Sequence, residues 1–319
     1  MPASWDIYVG PAAGLFTSVL WTGTSLLFTA AGRRIGPTVV NAFRIGLAIV
    51  ILALIHRLRF GIWVPEAVAG QVFYLALSGI IGLAIGDQAL FTSFVDIGPR
   101  LAMLLLGTAP IFAAWFGWLA LGERLHGIAW IGMTLTIVGV AWVVLERPAD
   151  ATVARTGHRL RGVILGIIAA ACQAGGLLLS KQGIGHGWLP AEQHLDPQAA
   201  TLGRMVFAGV GVLPILTFHA LRQRARKAAG YQPLRIGSPR AGYLFAACGA
   251  VIGPSLGVWM SLVASDRAPL GVAQTLCSLP PVFILPFAVL VHKEKVSPRA
   301  ILGALVAVGG TAVLFLHPR

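Results

Sequence analysis

Ten apolar runs, each about the length needed to cross a bilayer, occupy most of this chain and constrain it more than any other feature. They cover residues 9–31, 39–56, 68–91, 101–121, 127–145, 162–180, 199–219, 241–264, 269–291 and 299–316. A spanning helix needs about 20 predominantly apolar residues, whereas a barrel strand needs about 10 in alternation. These runs are too long and too uniformly apolar for strands. Only 11% of the residues are charged and 57% are hydrophobic, against about a quarter charged in a soluble domain. No water-soluble core could absorb that much apolar side chain, so lipid must be the solvent for most of the surface. The expectation is an all-α integral membrane protein, multi-pass and placed in the cell membrane. It has no length left for a soluble catalytic domain. The first run has no basic stretch before it and is long enough to span, so it reads as a retained helix and not a cleaved leader.

The net charge of +13 would suit nucleic acid only if the cations lined one face of a folded domain. Here Lys and Arg fall in short loops between apolar runs, as membrane topology requires, so no nucleic-acid partner is expected. Cys172, Cys248 and Cys277 lie inside apolar runs and read as small buried residues without a disulfide framework. His186 and His194, with Glu192 and Asp196, cluster in the 181–198 loop. Their spacing fits no recognised metal site, so neither a metal nor a cofactor is expected and the group reads as a solvated polar loop.

The second constraint is a repeat. Pro110-Ile111-Phe112, Phe116, Leu119, Glu123, Gly132 and Gly139 recur as Pro281-Val282-Phe283, Phe287, Leu290, Glu294, Gly303 and Gly310, at a constant offset of 171. Arg44 matches Arg204, while Gly82 and Gly86 match Gly253 and Gly257. The chain therefore divides into halves of five runs, 1–147 and 160–319. Because each half crosses an odd number of times, the second must be inverted relative to the first. Two inverted five-helix repeats can exchange conformations and open a shared cavity to either side in turn. Pro110 and Pro281, at equivalent points of their runs, suggest a shared bend in the moving parts. Glu123 and Glu294 end their runs beside basic residues and read as structural corners.

These residues resemble the drug/metabolite transporter superfamily in its ten-helix branch with two EamA domains. The likeness covers nearly the whole chain. It is carried by Trp21-Thr22-Gly23, Phe43-Arg44, Gly86-Asp87 and Ile97-Gly98-Pro99, continues from Pro110 to Gly122-Glu123-Arg124 with Gly132 and Gly139, and ends with Pro281, Glu294, Gly303 and Gly310. The resemblance implies secondary transport of small organic metabolites, often efflux of amino acids or related compounds, through a central cavity. Two departures bear on the substrate: Thr22 interrupts the Trp-Gly pair, and Gly175-Gly176 stands where an aromatic residue often occurs.

Ionisable and polar groups at membrane depth are the natural site candidates, because lipid penalises them unless they face a cavity or a partner. Asp87-Gln88 leads. A carboxylate too short to snorkel must pair with a cation or keep its proton, and either outcome suits a carrier coupled to protons. Arg44 and Arg204 could snorkel to the headgroups, pair with a carboxylate, or grip an anionic substrate group in a bidentate contact. Gln173 and Gln274 could orient a substrate or join helices. Trp21 and Trp259 could line the cavity or sit in the interfacial belt, to which Trp115, Trp118, Trp130 and Trp142 are assigned. Asp96 is expected in an exposed loop.

The expected function is thus alternating-access transport of a small molecule. An integral-membrane enzyme would need paired acids for a metal, or a nucleophile beside a base, and the runs contain neither. A receptor or scaffold would gain nothing from exchangeable halves. No Gly-x-x-x-x-Gly-Lys-Ser/Thr segment is present to hold ATP. Counting Lys and Arg by alternate loops gives 16 on one side and 6 on the other. That split places both termini outside by the positive-inside rule, whereas the resemblance implies cytoplasmic termini.

Overall fold

The computed structural model describes residues 6–146, 159–188, 193–228, 237–280, 282–283 and 297–316. Pro281, Glu192 and Glu294 lie outside them. The described residues form helices α1 (Asp6–Ile35), α2 (Pro37–Phe60), α3 (Ala69–Ser78), α4 (Asp87–Leu106), α5 (Ala109–Leu121), α6 (Gly127–Glu146), α7 (Arg159–Ile184), α8 (Pro197–Ala228), α9 (Pro239–Ala250), α10 (Val258–Arg267), α11 (Leu270–Cys277) and α12 (Pro298–Leu316). Among the described residues there is no strand. Among the described residues six helical spans are long and apolar enough to cross a membrane, and Ala109–Leu121, Gly127–Trp142 and Ile301–Leu314 are shorter apolar helices. Trp115, Trp118 and Trp130 stand exposed on the outer surface, where only an apolar solvent makes large aromatic side chains tolerable. Cys248 is exposed as well, whereas the sequence pointed to burial.

Local chemistry sets the breaks between helices. α2 starts on Pro37, whose missing N–H is no loss in a first turn, and stops at Gly61 in the left-handed region with φ 76. α4 doubles back on itself: Ser93 and Leu105 both reach the space beside Gly166 on α7, although a straight helix would hold them about 18 Å apart. The reversal falls near Gly98-Pro99. Asp96, just before it, is helical and buried, and Arg161 grips it with two hydrogen bonds of 2.6 and 2.7 Å. The exposed-loop expectation for Asp96 fails because α7 of the other half brings a guanidinium to cover it.

The two halves match in ways only the structure displays. A π-helical segment, Gly79–Gly86, joins α3 to α4, and a second, Val251–Gly257, joins α9 to α10. They hold the matched glycine pairs. The first packs on α7, where a Cβ at Gly86 would come within 2.8 Å of Cys172. The second packs on α1, where a Cβ at Gly257 would come within 2.7 Å of the Trp21 indole. Each half therefore receives the other's opening helix against its own glycines, the close approach that small residues permit in lipid.

Helix breaks also match. The chain leaves the helix at Gly107-Thr108 before α5 and at Ser278-Leu279 after α11, positions again 171 apart. Pro110 thus sits in the first turn of α5 and not at the bend, because the interruption precedes it. Finally, α6 and α12 pack antiparallel through glycines. A Cβ on Gly310 would meet the Gly132 carbonyl oxygen at 2.6 Å, and one on Gly139 would meet that of Gly303 at 2.6 Å. Gly132 is the repeat partner of Gly303, and Gly139 of Gly310, so exchanging the halves maps this contact onto itself. That is a two-fold relationship.

Candidate functional site

Between the halves lies a cavity whose walls come from α1, α2, α4, α7, α10 and α11. The π segments deliver Asp87 and Val258 to it at their C-terminal ends, and the two helix breaks present Gly107 and Ser278. Most of the wall is apolar and aromatic, with Phe28, Phe91, Phe94 and Met103 on the first-half side. Trp21, Gln173 and Gln274 add hydrogen-bonding edges, so an amphipathic small molecule is the shape of ligand it favours.

The charged part of the wall is built on α2 and α4. Arg44 points inward, and its Nε and Nη2 donate to Asn41 Oδ1 at 3.1 and 2.9 Å. Nη2 also donates to Asp87 Oδ2. The guanidinium lies over the rings of Phe91 and Phe28, at 5.0 and 5.5 Å from their centroids. Asn41, one helical turn before Arg44, thus holds the cation while the rings shield it from solvent. Snorkelling is not the state of Arg44, since its side chain is buried and turned into the protein. Arg204, also buried, adds its charge to that of Arg44 in the surroundings of Asp87. Arg204 is not on the cavity wall: it lies behind it, with Nη2 beside Gly82 and Gly176 and a buried Nε that finds no hydrogen-bond partner among the described residues.

Two other candidates sit away from the cavity. Gln88 faces α2 and donates to Thr38 Oγ1 at 3.1 Å and to Thr92 Oγ1 at 3.4 Å. Being next to Asp87 on a helix turns it about 100° away from the cavity. Trp259 packs beneath the Arg59 guanidinium, 5.7 Å from its ring centroid, at one end of the bundle.

Three contributors escaped the sequence reading. Asn41 could have been found from its i, i+3 spacing to Arg44. Ser18 had no signal: its hydroxyl donates to Leu276 O at 2.6 Å and accepts from Leu279 N–H at 3.1 Å. It satisfies backbone groups exposed by the helix break, which lipid could not do. Lys181, which the sequence showed only as a loop cation, is buried at the end of α7. Its Nζ donates to Glu123 Oε1 at 2.5 Å and to Ala268 O at 2.8 Å, while Glu123 Oε2 accepts from Leu270 N–H at 2.7 Å. The corner residue Glu123 therefore clasps the first half to α7 and α11 of the second. Lys181 lies eight residues beyond Gln173 on α7, so the clasp stands about 12 Å from the cavity wall along that helix.

The histidines at 186 and 194 do not stand alone either: both bond to Asp266, while Asp196 pairs instead with Arg59.

The model of the EamA-like transporter family matches residues 9–145 and again 160–316. A solved crystal structure is 17% identical over 97% of each chain with a TM-score of 0.70, which shows a shared fold. No curated protein sequence matches the chain.

Proposed function

This chain belongs to the EamA-like transporter family, a family of small-molecule transporters, and on that premise we propose that it is a secondary carrier working by alternating access. The observation that carries the reading is the Arg44–Asp87 ion pair on the wall of a cavity between the halves. In a site largely screened from water, the carboxylate can satisfy Arg44 or hold a proton, and a substrate anion can take its place on the guanidinium. Protonating Asp87 would then free Arg44 for the substrate anion, so proton binding and substrate binding are linked through one pair of groups.

The substrate we propose is a small metabolite with an acidic group on an apolar body, an amino acid or a relative of one, moved outward across the cell membrane. The Arg44 guanidinium on the wall, with the charge of Arg204 behind it, favours the acid, and the aromatic wall favours the body. Ten crossings in two inverted halves supply the motion. The antiparallel α6–α12 contact supports this, as do the matched π segments and matched helix breaks, since two-fold related halves can trade conformations at little cost.

Purified protein reconstituted in liposomes, loaded with a panel of amino and organic acids and given a proton gradient, tests this. Expected is saturable flux of an acidic or zwitterionic metabolite that responds to the gradient. Flux of permanent cations alone would overturn the substrate class, and no flux of any compound would overturn carriage.

A further inference from the structure

We propose that His186, His194 and Asp266 form a binding site for a divalent transition-metal ion, zinc in the first instance, beside the Glu123–Lys181 clasp. Two imidazole Nε2 atoms converge on one carboxylate oxygen, Asp266 Oδ1, at 2.7 and 2.9 Å. The three ligand atoms all lie within 4.8 Å of one another. The rings stand edge to face, with centroids 6.0 Å apart and planes at 90°, so both nitrogens aim at one point without the rings stacking.

The backbone builds this arrangement. Gly185 and Gly187 flank His186 with φ of 116 and 86, a region closed to most side chains. A Cβ at Gly185 would run into Gln193 O at 2.6 Å. Leu195 N–H donates to Ile184 O at 2.7 Å, which closes the loop and sets His194 beside His186. Asp266 arrives from the end of α10. Its side chain is 4% exposed, against 35% and 50% for the two histidines. The anion is therefore screened and fixed, and the imidazoles open the site to solvent for entry.

Two imidazoles and a carboxylate are the donor set of many tetrahedral zinc sites, with water completing the shell. Zinc–ligand bonds of about 2.0–2.2 Å put neighbouring ligands roughly 3.3 Å apart. The two imidazole–carboxylate spacings need to open by about half an ångström, within reach of rotation at one half-buried and one exposed histidine. Arg267 Nε is 3.2 Å from the other oxygen, Oδ2. Its charge weakens the site without taking the converging oxygen. Ala268, two residues on, accepts from Lys181, so a bound ion ties His186 and His194 to the clasp.

Tag-free protein, stripped with chelator, is titrated with zinc against a fluorescent zinc indicator and with cobalt by visible absorption. Expected is one high-affinity ion per chain, a cobalt spectrum of mixed nitrogen and oxygen ligation, and at least tenfold weaker binding in His186→Gln and His194→Gln. Thermal melting keeps the result readable if a variant folds poorly: zinc raises the wild-type midpoint and leaves that of His194→Gln in place. Unchanged affinity in both variants, or no binding by wild type, would overturn the site. Either result is independent of what the carrier transports.

Discussion

Arg44 on α2 and Asp87, the first residue after a π-helical segment, form an ion pair with side chains 6% and 12% exposed. A pair so placed is costly to assemble and costlier to break, since removing one member strands a charge away from water. Function is a good reason to keep it.

Asp87→Asn is therefore expected to lower stability by about 3–5 kcal/mol and to abolish gradient-driven flux. The double variant Arg44→Met/Asp87→Leu removes both charges and should restore much of the melting temperature without restoring transport. Melting in detergent and flux in liposomes separate the two effects. Recovery of both would reduce the pair to a structural brace.

Glu123→Ala leaves the buried Lys181 ammonium and the Leu270 N–H without their acceptor. A loss of about 2–4 kcal/mol is expected from the unpaired groups. The end of the cavity behind the clasp should also loosen, so that a cysteine placed at Gly122 reacts several-fold faster with a thiol reagent. An unchanged labelling rate would show that the clasp does not govern access.

Ser18→Ala deprives Leu276 O and Leu279 N–H of their partner at the second-half helix break. Loss of one buried hydroxyl serving two backbone groups should cost about 1–3 kcal/mol. Ser18→Thr, which keeps the hydroxyl, should retain more transport than Ala. Equal activity of the two would mean that the break is satisfied without it.

Gly310→Ala is expected to destabilise by about 1–3 kcal/mol, because its methyl would press on backbone atoms at Gly132 and Thr136 that cannot swing aside. Gly309→Ala, whose Cβ has nothing within 4 Å, should be neutral. Comparing their melting temperatures isolates the α6–α12 crossing.

The loop charge count predicts that a cysteine at Trp63, between α2 and α3, is labelled by an impermeant reagent from outside intact cells, whereas one at Gln223 is not. The reverse pattern would place both termini in the cytoplasm.

Much of the fold was legible because lipid imposes a strong and local rule on sequence: a spanning segment must be long and apolar. The repeat was legible because equal packing tasks in two halves keep glycine, proline and charge in register. Asp87 and Arg44 stood out for the same reason, as charges where the rule forbids them. Gln88 and Trp259 looked equivalent to them in sequence, and the difference was rotational: a helix places neighbours about 100° apart, so one faces the cavity and the next does not.

Taken alone, the sequence determined that this is a membrane-spanning helical protein built from two matched halves, since hydropathy and a 171-residue offset can be read without knowing any contact. Only the tertiary structure decided which polar groups meet. Arg44 with Asp87, Glu123 with Lys181, Asp96 with Arg161 and Asp266 with two histidines are pairings across helices or loops, set by how the helices pack. Glycine-lined contacts let the backbones approach, and the π segments and helix breaks aim the side chains. Those features depend on distances between helices, for which linear sequence carries no direct record.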